Sequence, residues 1–366
     1  MSVAPGRFLR PEIAALSAYE AEAPGRLVKL DANENPWPPP PELRERIGAA
    51  AAALELNRYP DPEAAALRSL LAARAGWARE GILLGNGSDE LIVLLLAACG
   101  GEGATLLVPT PTFSMYRHIA VTMGWRVEEV PLAPGFALDE AALLARAAAS
   151  APRLSVFASP NNPTGNLFDR GVLERYLRAA PGLVVIDEAY HDFAGESVVG
   201  LLARHENLVV LQTLSKIGLA ALRLGILLAS PGLAAELNKV RLPYNVGSFP
   251  QAAAAAVLGA PGFLEGQLRA LRAERARLAA AMSAMAGVTV HPSDANFILF
   301  RTPHPSRAVF DGLRERGVLV RDLGGRPGPL HGCLRVTVGT PQENGTFLGA
   351  LPEALAVAAS RARDRA

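Results

Sequence analysis

Short, continuous aliphatic runs alternating with stretches of helical composition constrain this chain more than any other feature. The runs fall at 81–84, 104–108, 125–130, 153–158, 183–187, 207–212 and 224–228. Between them lie helical segments at 88–99, 112–122, 138–149 and 169–179. A strand that is apolar at every position must be covered on both faces, and helices between such strands supply the cover. The reading is an α/β unit with a mostly parallel sheet clothed by helices on both sides. In such sheets ligands sit beyond the carboxyl ends of the strands, so the loops that follow the runs are the ones to inspect.

The flanks read differently. Residues 251–285 form a long helical stretch interrupted near Ala260-Pro261-Gly262. Short strands follow at 288–290, 296–300, 318–320 and 333–339, with helices near 305–316 and 342–358. This describes a smaller α+β unit. The first 40 residues carry Pro24, Pro36 and the run Pro38 to Pro41, so they read as an extended arm with a helix resuming near Glu42. The expected division is an arm at 1–40, a large domain at 41–265 and a small one at 266–366. A chain of 366 residues has room for two or three such units.

Composition removes several functional classes. Half the residues are hydrophobic and 19% charged, enough apolar material for large cores. Net charge is +1 with no long basic run, which argues against a partner held through its phosphate backbone, DNA or RNA. The apolar stretch at 91–99 is too short for a bilayer, which needs about 20 residues. The first residues, MSVAPGRFLRPEI, hold no continuous apolar run of the kind a secretory leader carries. Six histidines are scattered and the two cysteines, Cys99 and Cys333, make no C-x-x-C pair, so no metal is expected. The thiols read as free and buried in a reducing compartment, and the cytosol is the expected address. Of 36 basic residues only Lys29, Lys216 and Lys239 are lysine. Where charge alone suffices this chain uses arginine, so a retained lysine points weakly to chemistry arginine cannot do, such as acting as a neutral amine.

Four strand-end loops then stand out. The run at 81–84 leads into GNGSDE, where Gly85 and Gly87 allow a sharp turn, Ser88 or Asp89 can cap the next helix, and the helix start can accept a phosphate. The run at 153–158 ends in the rigid SPNNPTG. The run at 183–187 ends in Asp187, costly to bury without a partner or a capping role. The run at 207–212 reaches Thr213-Leu214-Ser215-Lys216, with Arg223 following. Each loop alone is compatible with a plain turn, cap or solvated strand end. Together they place an anion cradle, a carboxylate, an amine and a second cation on one edge of the sheet.

These residues resemble the fold-type I pyridoxal-phosphate enzymes and, among them, the histidinol-phosphate aminotransferases. The matching segments are LDANENP (30–36), RYPD (58–61), GNGSDE (85–90), PTFSMY (111–116), SPNNPTG (159–165), DEAY (187–190), TLSK (213–216) and LRVTVGTPQEN (334–344). The resemblance implies pyridoxal 5′-phosphate bound as a Schiff base on Lys216, and Asp187 against the pyridinium nitrogen. It places Asn162 and Tyr190 at the ring 3′-oxygen and Phe113 on the ring face. It puts Gly87, Ser88, Ser215 and Arg223 around the phosphate with Asp89 beside them, and Tyr59 at the phosphate of a neighbouring subunit. A homodimer with shared active sites follows. It implies transfer of an amino group from glutamate to imidazole acetol phosphate, with Arg335 for the glutamate carboxylate. Arg321, with Asn33 and Glu34 nearby, would take the phosphate of the second substrate; an ordinary ion pair is an equal reading of Arg321. The same cofactor residues would serve an aromatic amino acid aminotransferase or a decarboxylase of a phosphorylated amino acid. One departure is visible: Arg223 follows Lys216 one residue sooner than in many relatives. Either Gly218 tightens the loop or Arg223 meets the phosphate differently.

Overall fold

The computed structural model describes residues 8–16, 25–260, 262–325 and 327–363. Pro24 of the arm and Pro261 of the helix interruption lie outside these residues. The first strand, β1 (Val28–Lys29), belongs to the arm. It is followed by β2 (Ile82–Asn86), β3 (Thr105–Thr110), β4 (Arg126–Pro131), β5 (Leu154–Ala158), β6 (Leu183–Asp187), β7 (Leu208–Thr213) and β8 (Leu224–Leu228). The last seven form one sheet in the order β2-β8-β7-β6-β5-β3-β4. Pairs β3–β4, β3–β5, β5–β6 and β6–β7 are parallel, and β8 runs antiparallel to both β7 and β2. The reversal has a simple cause: the Leu214–Arg223 connection is too short to cross back to the start of β7.

The central strands are buried along their whole length, as their unbroken apolar runs require. Side chains alternate between two cores. One face packs Leu84, Phe157, Val184, Ile186, Val210 and Ile226 with Tyr176 and Leu264. The other packs Leu83, Val156, Val185, Val209 and Leu227 against Leu91, Leu95 and Tyr116 of two helices. Helices at Glu140–Ser150 and Arg170–Ala179 carry side-chain caps from Asp139 and Asp169, which explains their sharp starts. The helix at 112–122 is shorter than its composition suggests, Met115–Thr122, because the chain bends at Pro111 and turns at Ser114 before it begins. Helices Ala65–Ala75 and Pro231–Asn238 add to the pattern.

The remaining strands are β9 (Thr289–Val290), β10 (Phe297–Arg301), β11 (Val318–Leu319), β12 (Arg321–Asp322) and β13 (Cys333–Thr337). Four of them form an antiparallel sheet, β12-β13-β10-β9, whereas β11 pairs in parallel with β1 of the arm. The arm is thus sewn to the C-terminal part of the chain, and Leu30 lies in a third core with Ile298, Phe300, Leu334 and Phe347. The helical stretch at 251–285 is two helices, Ser248–Leu258 and Phe263–Ser283. The second puts Leu264, Leu268 and Leu271 into the first core and Leu278 and Met282 into the third. Cys99 is only half-buried and Cys333 is buried, and both are free.

Candidate active site

The C-terminal edges of β2, β5, β6 and β7 meet in a cavity of about 780 Å³, closed from the other side by the arm and by β12 and β13. Asp187 ends β6 and Lys216 follows β7, the adjacent strand. Asp187 is 5% exposed. Its Oδ1 accepts from the Ala189 N–H at 3.0 Å and its Oδ2 from the Tyr116 hydroxyl at 2.6 Å. Burial pushes its carboxyl up to about 6; the Tyr116 and Ala189 donors and the charge of Lys216 act the other way, and Asp89 adds to the rise. The Lys216 Nζ stands 5.7 Å from the centre of the Tyr190 ring.

Around this pair, Phe113 lines the cavity edge-on to Tyr116, at 5.4 Å between centroids. The SPNNPTG loop divides its two asparagines. Asn161 is fully buried and fixes the loop through Pro111, Thr112 and Thr164. Asn162 faces the cavity and accepts from Arg335. Arg335 also donates to the Asp31 carbonyl at 2.7 Å and lies over the Phe297 ring. Tyr190 accepts from the Asn33 amide at 2.9 Å, and Asn33 is itself held by Thr337 and Asn296. Of DEAY, Glu188 is structural: it accepts from Ser197, Val198 and Gln212 inside the fold.

The glycine turn is closely fitted. A Cβ on Gly225 would come within 2.4 Å of the Gly87 carbonyl carbon, and one on Gly87 within 2.7 Å of Arg223 Nη2. The expected cap differs: the helix runs Gly87–Cys99 with Asn86 at the cap position, so Ser88 and Asp89 sit in its first turn. Glu90 takes the capping role by accepting from the Asn86 N–H at 2.7 Å. Ser215 is buried, and its N–H donates to Thr213. The step to Arg223 is taken up at two positions, Gly218 at φ +106° and Arg223 itself at φ +51°. That conformation returns the guanidinium to the cavity, 3.6 Å from Asp89.

The cavity therefore gathers Lys216, Asp187, Tyr190, Gly87, Ser88, Asp89, Phe113, Asn162, Ser215, Arg223, Asn33, Arg321 and Arg335. Two sequence candidates lie elsewhere. Glu34 points outward and pairs with Lys29, and Tyr59 is 80% exposed and stacked on Tyr244. Sequence reasoning missed Tyr116, which reads as one more core aromatic on an amphipathic helix. It singled out Lys29 only for its rarity; Lys29 lines the cavity 3.9 Å from Asp31. Burial raises the Asp31 carboxyl, and Lys29 opposes the rise.

The family model "Aminotransferase class I and II" matches residues 26–351. A histidinol-phosphate aminotransferase of Nitrosococcus oceani is 47% identical over 347 residues, covering 94% of this chain and 96% of its own. The chain belongs to this family of aminotransferases. The Aquifex aeolicus histidinol-phosphate aminotransferase is 43% identical over 94% of this chain and 97% of its own. The crystal structure of the Sinorhizobium meliloti histidinol-phosphate aminotransferase in complex with pyridoxal 5′-phosphate superimposes with a TM-score of 0.86. It is 27% identical and covers 95% of this chain and 97% of its own. No helix among the described residues is long and apolar enough to cross a membrane.

Proposed function

We propose that this chain is a pyridoxal 5′-phosphate-dependent histidinol-phosphate aminotransferase. It moves the amino group of glutamate to imidazole acetol phosphate, giving 2-oxoglutarate and L-histidinol phosphate in two half-reactions. The observation that carries the reading is the placement of an amine, Lys216, and a buried carboxylate, Asp187, at adjacent strand ends of one cavity. The aminotransferases it resembles at 43–47% identity support the substrate assignment.

The residues fit the cofactor. A flat aromatic, Phe113, a buried acceptor, Asp187, and a helix start beside Arg223 match a ring, a ring nitrogen and a phosphate respectively. When bound, the cofactor supplies a carbonyl that amines can condense with and a ring that takes up charge as a proton leaves Cα. Asp187 holds the ring nitrogen protonated. Asn162 and Tyr190 face the ring oxygen. Ser88, Ser215 and Arg223 hold the phosphate, with Gly87 and Asp89 shaping the turn. Lys216, as a neutral amine, would take the proton from Cα and deliver it to the cofactor carbon C4′, on the far side of the shared nitrogen. Arg335, already aimed at Asn162, has the fork that matches the glutamate carboxylate, and Arg321 is the guanidinium for the substrate phosphate.

A second copy completes the proposal. Leu56, Tyr59, Leu242, Tyr244 and Phe249 are exposed, the apolar surface a homodimer would cover, and Tyr59 would reach the partner's phosphate site. The cytoplasm is the proposed compartment, consistent with two free thiols. The test is a substrate panel on protein reconstituted with the cofactor. Glutamate with imidazole acetol phosphate should outpace phenylalanine or tyrosine as amino donor by at least about 10²-fold, the scale at which a buried ion pair discriminates. Faster exchange with the aromatic donors would overturn the substrate assignment, and release of CO₂ would overturn the reaction type.

A further inference from the structure

The Tyr116 hydroxyl belongs to none of the groups so far given a role, although it makes the shortest contact to Asp187. Tyr116 is 1% exposed, and its O–H donates to Asp187 Oδ2 at 2.6 Å. Among the described residues, the only other donor to the carboxylate is the Ala189 N–H on Oδ1 at 3.0 Å. The two bonds hold one carboxylate oxygen each, one from its own chain segment and one from the helix Met115–Thr122. The tyrosine is wedged in turn: its ring packs in the second core and edge-on to Phe113. A fully buried phenol aimed at a fully buried carboxylate is an expensive arrangement unless both groups stay paired.

We propose that Tyr116 is a positioning residue for the reaction, acting through Asp187: its hydroxyl fixes the carboxylate and favours its ionised form, so that Asp187 meets the cofactor's ring nitrogen as an anion. This rests on the reading of Asp187 as the partner of that nitrogen. The direction follows from chemistry. An O–H donor stabilises a carboxylate more than a carboxylic acid, and here it opposes the desolvation that favours the neutral form. The charges facing Asp187 are Lys216 and Asp89, and they act in opposite senses, so neither replaces the hydroxyl. Because Phe113 touches the same tyrosine, one ring positions the anion while its neighbour lines the cavity.

The experiment measures pyridoxal 5′-phosphate binding to cofactor-free protein by equilibrium titration between pH 5 and 9, for wild type, Tyr116→Phe, Asp187→Asn and the double variant. Tyr176→Phe is the control, since it removes another buried hydroxyl, bonded to Ser155 at 2.8 Å, in the core on the opposite face of the sheet. Tyr116→Phe should move the acid limb of binding up by about one pH unit, which weakens binding about tenfold at pH 5 but only about twofold at pH 7, where the wild-type carboxyl is mostly ionised. It should cost nothing further in the Asp187→Asn background, whereas Tyr176→Phe should lower the melting temperature and leave the limb in place. Site-specific 3-fluorotyrosine at 116, a stronger donor of nearly the same shape, should move the limb down and keeps the question answerable if Tyr116→Phe does not fold. Wild-type affinity and pH limb in Tyr116→Phe, an additive loss in the double variant, or an unmoved limb with 3-fluorotyrosine would each overturn the inference. Unchanged binding by Asp187→Asn would instead remove the reading of Asp187 on which it stands.

Discussion

The floor and the rim of the cavity are built from the same kinds of residue to different ends. On the floor Asp187, Tyr116, Tyr190 and Asn33 are buried, and each polar group is tied to a partner from a different element. At the rim Lys29 pairs with Glu34 and Arg223 with Asp89, all with a third to a half of their side-chain surface exposed. Buried bonds of the first kind allow one geometry, because a lost partner leaves a desolvated polar group behind. Exposed ion pairs exchange partners at little cost. The floor is suited to holding one flat ring in one pose, and the rim to anionic groups that replace one ion-pair partner with another.

The sharpest way to break this contrast is at Lys216. Lys216→Ala should lose about 10⁴-fold in turnover, the upper range for removal of a positioned proton carrier, while still folding. Its transamination rate and circular dichroism check both parts. The next effect is thermodynamic. The Asp187 carboxyl is pushed up to about 6 from 3.8, so the folded protein binds this proton more tightly than the unfolded chain does. The stability it contributes is full below about pH 4 and is lost as pH rises through 6, by about 3 kcal/mol at most. Denaturation of cofactor-free protein at pH 4 and 7 should show that slope in wild type but not in Asp187→Asn. A common slope in the two proteins would mean the floor is not strained by its own charge. Smallest is the rim. Lys29→Ala should change stability by under about 1 kcal/mol, with the difference fading as salt is raised. A stability change at Lys29 as large as the pH-linked one at Asp187 would erase the distinction between the two regions.

The floor was largely legible in the sequence because its residues sit at the ends of runs whose pattern is local. An unbroken aliphatic strand announces itself, and Asp187 and Lys216 could be placed from the strand-end rule before any contact was known. Tyr116 was not legible, since its position on a helix with a buried apolar face gives no hint that the hydroxyl reaches another element. The rim was less readable still. Strands β1 and β12 are two residues each and owe their existence to partners on other strands, Val318 for Val28 and Arg335 for Arg321. No periodicity survives in two residues. The tight step from Lys216 to Arg223 showed as a spacing, but its solution, two residues at positive φ, is a backbone property that residue type announces only at Gly218.

The parallel pairing of β1 with β11 has a consequence for how the molecule comes into being. Val28 waits for Val318, and Leu30 for a core that includes Phe347. During synthesis the large sheet can assemble from neighbours in the chain, whereas the arm has nothing to hold until almost the whole polypeptide has emerged. The roof of the cavity is therefore the last part of the enzyme to close. A nascent or truncated chain ending before β11 would carry Asp187 and Tyr116 open to water, with the Asn33 bond to Tyr190 still unmade.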